Sequence, residues 1–231
     1  MKNWWYYHKW YVVCGIILLV ILCNVTGNAL GLWHKAPDFQ IAYIGKAALP
    51  QDTVSALEQS FAAAEWDFNG DGETIVRVTQ YILGNQSKDA ETAYYEYASG
   101  LTLVGDISGC ESYFFLMDDP NHFQRDYQLL AAPDGGCPEE TDYSAEGKAI
   151  LWADCPALSG MGLGSYSTLL LGEEVTGDNQ ELLAPLYFGR RCFYTKKRPE
   201  NFGDCKKLWE QLTKPAAPSK KKNGTNKERN G

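Results

Sequence analysis

Between Trp10 and Trp33 the chain runs for 24 residues without a Lys, Arg, Asp, Glu or His. Wound as a helix at about 1.5 Å per residue, such a run reaches about 36 Å and crosses a hydrocarbon core of about 30 Å. Its densest part, Val12–Cys23, is almost wholly aliphatic. Trp4, Trp5, Tyr6, Tyr7, Trp10 and Tyr11 precede that part and Trp33 closes the run, in the positions of an interfacial aromatic belt. Lys2 and Lys9 lie before it and a long acidic stretch follows, so the positive-inside bias puts the short N-terminus in the cytoplasm and the remainder outside. The expected organisation is a cytoplasmic segment 1–9, a transmembrane signal-anchor helix 10–33, an extracytoplasmic domain 36–213 and a basic disordered tail 214–231. Gly27-Asn28-Ala29 offers small residues for a cleavable signal peptide, the rival reading, and Leu22 spoils a lipoprotein signal at Cys23. Both readings export the domain.

Charge follows the same division. The chain of 231 residues carries a formal −8. Residues 1–33 hold Lys2 and Lys9 and no acid, and the tail holds six basic residues against Glu228. The intervening 34–213 therefore keeps 13 basic and 28 acidic residues. An acidic body excludes nucleic acid as its partner, because phosphate affinity needs clustered Lys and Arg. With 45% hydrophobic residues the body has enough apolar material for one ordinary core.

Within the body, Asp38–Gly45 reads as a strand. Pro50 suits the start of a helix carrying Val54, Leu57, Phe61 and Ala64 at three- and four-residue spacing. Thr74–Leu83 is rich in β-branched residues and reads as a second strand. Ser87 is the expected N-cap of a helix with Ala90, Ala93, Tyr94, Tyr97, Leu101 and Val104 on one face. Tyr113–Met117 is wholly apolar, as buried parallel strands are, and Asp118-Asp119-Pro120 leads into a short helix through Phe123, Tyr127 and Leu130. Alternating strands and helices predict an α/β fold with a mainly parallel sheet. The C-terminal part is less regular: short strands at 149–152, 168–171 and 186–194, then a helix over 201–212.

Three constellations carry chemistry. Asp118 and Asp119 stand at the carboxyl end of a parallel strand, where α/β sheets place their ligands; the plainer role is to cap the following helix. Asp67, Asn69 and Asp71 in the loop Asp67–Gly72 (DFNGDG) match the first half of a calcium loop, but Val78 holds the place of its bidentate Glu. That leaves a weak Ca²⁺ site or a polar turn. Arg190, Arg191, Lys196, Lys197 and Arg198 form the basic cluster of the body and read as a solvated edge strand that blocks aggregation, rather than an anion site. The glycine-rich 159–165 fits no phosphate loop or nucleophile elbow. His122 is the lone histidine inside the body, so no catalytic residue is assigned. Five cysteines lie outside the membrane run: Cys110, Cys137, Cys155, Cys192 and Cys205. Pairs 110–137 and 192–205 are conceivable, and five buried thiols are the preferred reading.

The strings DFQIAYIGK, PQDTVSALEQSFAAA, NGDG before TQYILG, DAETAYYEY and ESYFFLMDDP, behind an anchor, resemble membrane-anchored extracytoplasmic proteins of anaerobic Gram-positive bacteria. Residues 38–130 also resemble the first lobe of an extracellular solute-binding protein of the type 2 periplasmic-binding-like class. The chain departs from that class in being short for two full lobes. The resemblance implies a tethered binding or docking protein, an accessory to an ABC-type transporter, with membrane contact through 10–33. A Ca²⁺-stabilised adhesion module and an exported hydrolase built on acidic residues are the alternatives.

Overall fold

The computed structural model describes residues 2–29, 36–63, 66–84, 89–170, 172–199 and 201–213. It divides into two units, Met1–Pro37 and Asp38–Gly231. The first is a single helix, α1 (Lys2–Ala29), of 28 residues. Its stretch His8–Thr26 is long and apolar enough to cross a membrane, and the aliphatic side chains Ile16–Leu22 are all exposed. Helix begins at Lys2, so residues 2–9 of the expected leader belong to the same helix. The far end of the expected anchor, 30–33, and the tail 214–231 lie outside the described residues.

The second unit is mixed α/β. In chain order it runs β1 (Phe39–Gly45), α2 (Gln51–Ala62), β2 (Val76–Ile82), α3 (Ala90–Gly109), β3 (Ser112–Met117), α4 (Pro120–Tyr127) and β4 (Ala149–Leu151). Then follow α5 (Pro156–Ser159), β5 (Ser165–Leu170), β6 (Glu173–Asp178), α6 (Asn179–Leu183), β7 (Tyr187–Arg190) and α7 (Phe202–Leu212). Five strands form one sheet in the order β2-β1-β3-β7-β4, with β5 and β6 as a separate antiparallel hairpin. β1 pairs in parallel with both β2 and β3, while β7 runs antiparallel between β3 and β4. Every residue of β1 and β3 is buried, as a sheet covered on both faces requires.

Side chains alternate between the two faces. Phe39, Ile41, Tyr43, Phe114 and Leu116 pack with Leu57 and Phe61 of α2 and Leu208 and Trp209 of α7. Ala42, Ile44, Phe115 and Met117 pack with Leu103 of α3 and Phe123 of α4. Pro50 stands at the N-cap of α2, and Val54, Leu57 and Phe61 are buried as the spacing predicts; Ala64 lies outside the described residues.

One expectation fails outright. The basic strand is not at an edge: β7 is interior, and Arg190 and Arg191 are both buried. Their stems fill the core side while their heads hold backbone carbonyls, which is how long cations enter interiors. Arg190 donates to Ala132 O and Pro133 O and lies 5.3 Å over the Trp209 ring; Arg191 donates to Ile107 O at the end of α3. Nε and Nη1 of Arg191 have no partner among the described residues. α3 turns its apolar stripe away from the sheet. Asp89 caps it by accepting from Thr92 N, the expected cap Ser87 lying outside the described residues. Tyr94, Tyr97, Leu101 and Val104 are exposed, whereas Leu103 and Asp106 face the sheet.

Candidate functional site at the carboxyl edge

The chain passes from β1 to β2 on one side and then crosses back to β3 on the other. The carboxyl ends of β1 and β3 therefore diverge around a switch point, the usual crevice of an open α/β sheet. Asp118 sits there. Its N–H donates to Ile44 O (3.2 Å) and its Oδ2 accepts from Lys46 N (2.9 Å), so one residue bridges both strand ends. Asp119 accepts from His122 N (2.9 Å) and caps α4, with Pro120 in the first turn as the helix start favours. The plain capping role thus belongs to Asp119, while Asp118 is the residue aimed at the crevice.

Both acids line two cavities. One, of about 540 Å³, is bounded by Asp118, Asp119, Asn121, Ser144, Glu146 and Tyr187. The other, of about 130 Å³, lies between the same two acids, Lys46, His122, Asp126 and Tyr127. The loop over the larger cavity is fastened to α4: Asn121 accepts from Ala145 N (3.0 Å) and Gln124 donates to Asp142 O (3.0 Å). Buried Lys148 holds it from below, on Ser144 O (2.5 Å) and Asp142 Oδ2 (2.7 Å). That contact keeps the Asp142 carboxyl below its ordinary range.

Carboxylates dominate the edge. Asp118, Asp119 and Glu146 line the larger cavity; in the smaller, Asp118, Asp119 and Asp126 stand with Lys46, and Asp126 is paired with His122 (3.2 Å) and Arg125 (3.1 Å). Burial, and then the charge of Asp118, push the Tyr43 phenol up to about 12, and it donates to Ala47 O below the crevice. Lys46, Glu146 and Tyr187 were not picked out from the sequence. Lys46 follows the end of β1 as Asp118 follows β3, so the strand-end rule would have found it; Glu146 and Tyr187 arrive from distant segments with no local signal.

The Asp67–Gly72 loop lies elsewhere, between α2 and β2. Asp67 accepts from Gly70 N, Asp71 N and Gly72 N, Asn69 from Asp71 N, and Asp71 from Glu73 N. The loop is curled on its own amides, as Asx turns are. Among the described residues no group of three or more His, Cys, Asp or Glu side chains gathers as a metal site.

All the cysteines are free. Neither conceivable pair is assembled: Cys205 is fully buried on α7, and the Cys192 thiol contacts Cys137 instead. Burial first, and Cys137 second, push Cys192 up to about 12. Comparison with known proteins finds no matching family model, no matching curated protein and no matching solved structure.

Proposed function

We propose that the protein is a single-pass, membrane-tethered extracytoplasmic binding or docking domain, an accessory of an ABC-type transporter, with its ligand site at Asp118 and Asp119. The observation that carries this reading is the meeting of both cavities on those two acids at the switch point. The larger cavity is lined by Asp118, Asp119 and Glu146 with no Lys or Arg among the described residues, which selects a cationic or hydroxyl-rich solute, since opposite charge raises local ligand concentration in a cleft. The alternating order of the first three strands supports a periplasmic-binding-like lobe. As one lobe, it leaves the crevice open on its outer side, which suits docking as well as solute capture.

A second reading, a Ca²⁺-stabilised module, rests on the Asp67 carboxylate, which the loop encloses through three amides. One experiment serves both. The full chain in detergent micelles is melted with spermidine, L-arginine, trehalose, Ca²⁺ or phosphate at millimolar concentration. A cationic or hydroxyl-rich probe is expected to raise the melting temperature, and Asp118→Asn with Asp119→Asn is expected to weaken that probe at least tenfold. Asn still caps α4, so the fold is kept. Stabilisation by phosphate alone, or an effect indifferent to the double variant, contradicts the site. A Ca²⁺ effect removed by Asp71→Ala and kept in the double variant assigns the metal to the loop.

A further inference from the structure

Of the five large apolar side chains exposed along α3, Tyr95 stands apart, and four share one side: Tyr94, Tyr97, Leu101 and Val104, at 68, 66, 57 and 51% exposure. Their steps of three, four and three residues are those of a coiled-coil seam, and the sheet-facing side of the helix is elsewhere, at Leu103 and Asp106. Small residues flank the seam: Ala93, Ala98, Gly100 and Gly105. A Cβ built on Gly105 meets nothing within 4 Å. We propose that this seam is a self-association surface, on which α3 of one copy packs antiparallel against α3 of a second copy. Tyr94 then meets Val104 of the second copy and Tyr97 meets its Leu101, with the two-fold axis at the level of Ser99.

Charge selects both the occupant and the direction. α3 contains Glu91 and Glu96 and no basic residue, and the surrounding body is strongly acidic, so an anionic bilayer surface repels it. A parallel pair stacks Glu91 on Glu91 and Glu96 on Glu96. An antiparallel pair instead brings the acidic first turn of one helix to the last turn of the other, where Lys197 donates to Ser108 O (2.8 Å). It also sets the helix dipoles head to tail. With about 150–250 Å² for a buried aromatic side chain, Tyr94 and Tyr97, each about two-thirds exposed, offer roughly 250 Å² per copy. Leu101 and Val104 bring a symmetric pair to about 800 Å², the size of a weak, reversible contact.

The test is cross-linking of the full chain in phosphatidylcholine vesicles with a short bismaleimide, after Cys14→Ser and Cys23→Ser. Ala98→Cys lies beside the two-fold axis and is expected to give a covalent dimer. Ala93→Cys, beside the seam and outside its contacts, lies about 18 Å along the axis from its own copy and is expected to give at least tenfold less. Adding Leu101→Glu to Ala98→Cys is expected to cut the dimer at least tenfold while the body stays folded, because Leu101 is exposed. Equal cross-linking through Ala93→Cys, or a dimer indifferent to Leu101→Glu, overturns the proposal. So does a monomer whose α3 tyrosines are quenched by brominated lipid, which would give the seam to the bilayer.

Discussion

Replacing Asp38 with Ala is expected to cost about 3–6 kcal/mol and to leave the body at the edge of unfolding, against a typical domain stability of about 5–15 kcal/mol. Asp38 is 2% exposed and opens β1. Its Oδ1 accepts from Phe68 N (2.7 Å) and Asn69 N (3.1 Å), and its Oδ2 from Ile75 N (2.7 Å). Its own N–H donates to Ile75 O (2.7 Å), and its carbonyl accepts from the Asn201 side chain just before α7. One side chain therefore ties the first strand, the loop 67–72 and the lead into β2, next to the start of the last helix. Ala leaves the half-buried Phe68 and Ile75 amides without acceptors, each lost hydrogen bond to the charged carboxylate being worth about 1.5–3 kcal/mol, while the exposed Asn69 amide turns to water. Asp38→Asn keeps one oxygen for Phe68 and Asn69 but turns an NH₂ on Ile75 N–H, so about half the loss is expected. Urea titration followed by near-UV circular dichroism measures both; a loss below about 1 kcal/mol for Ala contradicts this role.

Phe188→Ala is expected to cost a further large amount, about 3–5 kcal/mol. The ring is 1% exposed at the centre of β7. It stacks on Phe114 (5.4 Å) and Trp209 (5.7 Å), lies 6.2 Å from Phe61 and meets Trp152 edge-on at 6.4 Å. Those partners come from α2, β3, the Trp152–Asp154 turn and α7, so the cavity opens where four segments converge and cannot collapse onto one of them. Phe188→Leu fills most of that volume and is expected to cost less than half as much. The same titration separates the two. Equal losses for Leu and Ala would show that strand pairing rather than ring packing fixes this position.

Much of the fold is legible in the residues. The apolar run announces α1, and β1, β2 and β3 stand out because buried parallel strands are continuous apolar or β-branched segments. Asp118 was legible because a carboxylate just past such a strand has only one place to go, the carboxyl edge. Other features are set by tertiary partners and leave no local trace. A stripe at helical spacing looks the same whether it faces a core or a neighbour, so the residues of α3 do not say which way it turns. Arg190 and Arg191 read as an edge because charge usually means water. Their burial depends on Trp209 and on carbonyls from α3 and the segment after α4. β6 (EEVTGD) lacks strand propensity and is held in place by pairing with β5. Asp106 is the clearest omission. It is 3% exposed and accepts from Gln40 Nε2 (2.8 Å), Tyr81 OH (2.7 Å) and Ser112 N (3.0 Å), joining β1, β2 and β3 to α3. Burial, and then that hydrogen bond, hold the Tyr81 phenol far above its ordinary value. In the sequence it is one more polar residue on an amphipathic helix.

The proposal that α1 carries the body outside the membrane is tested most directly by a membrane-impermeant maleimide on intact cells expressing Glu139→Cys, an exposed loop position. Labelling above the wild-type level before lysis, with the full 25.8 kDa chain in the membrane fraction, is the expected result. Labelling that begins only after permeabilisation, or a shortened chain released from the membrane, would contradict it.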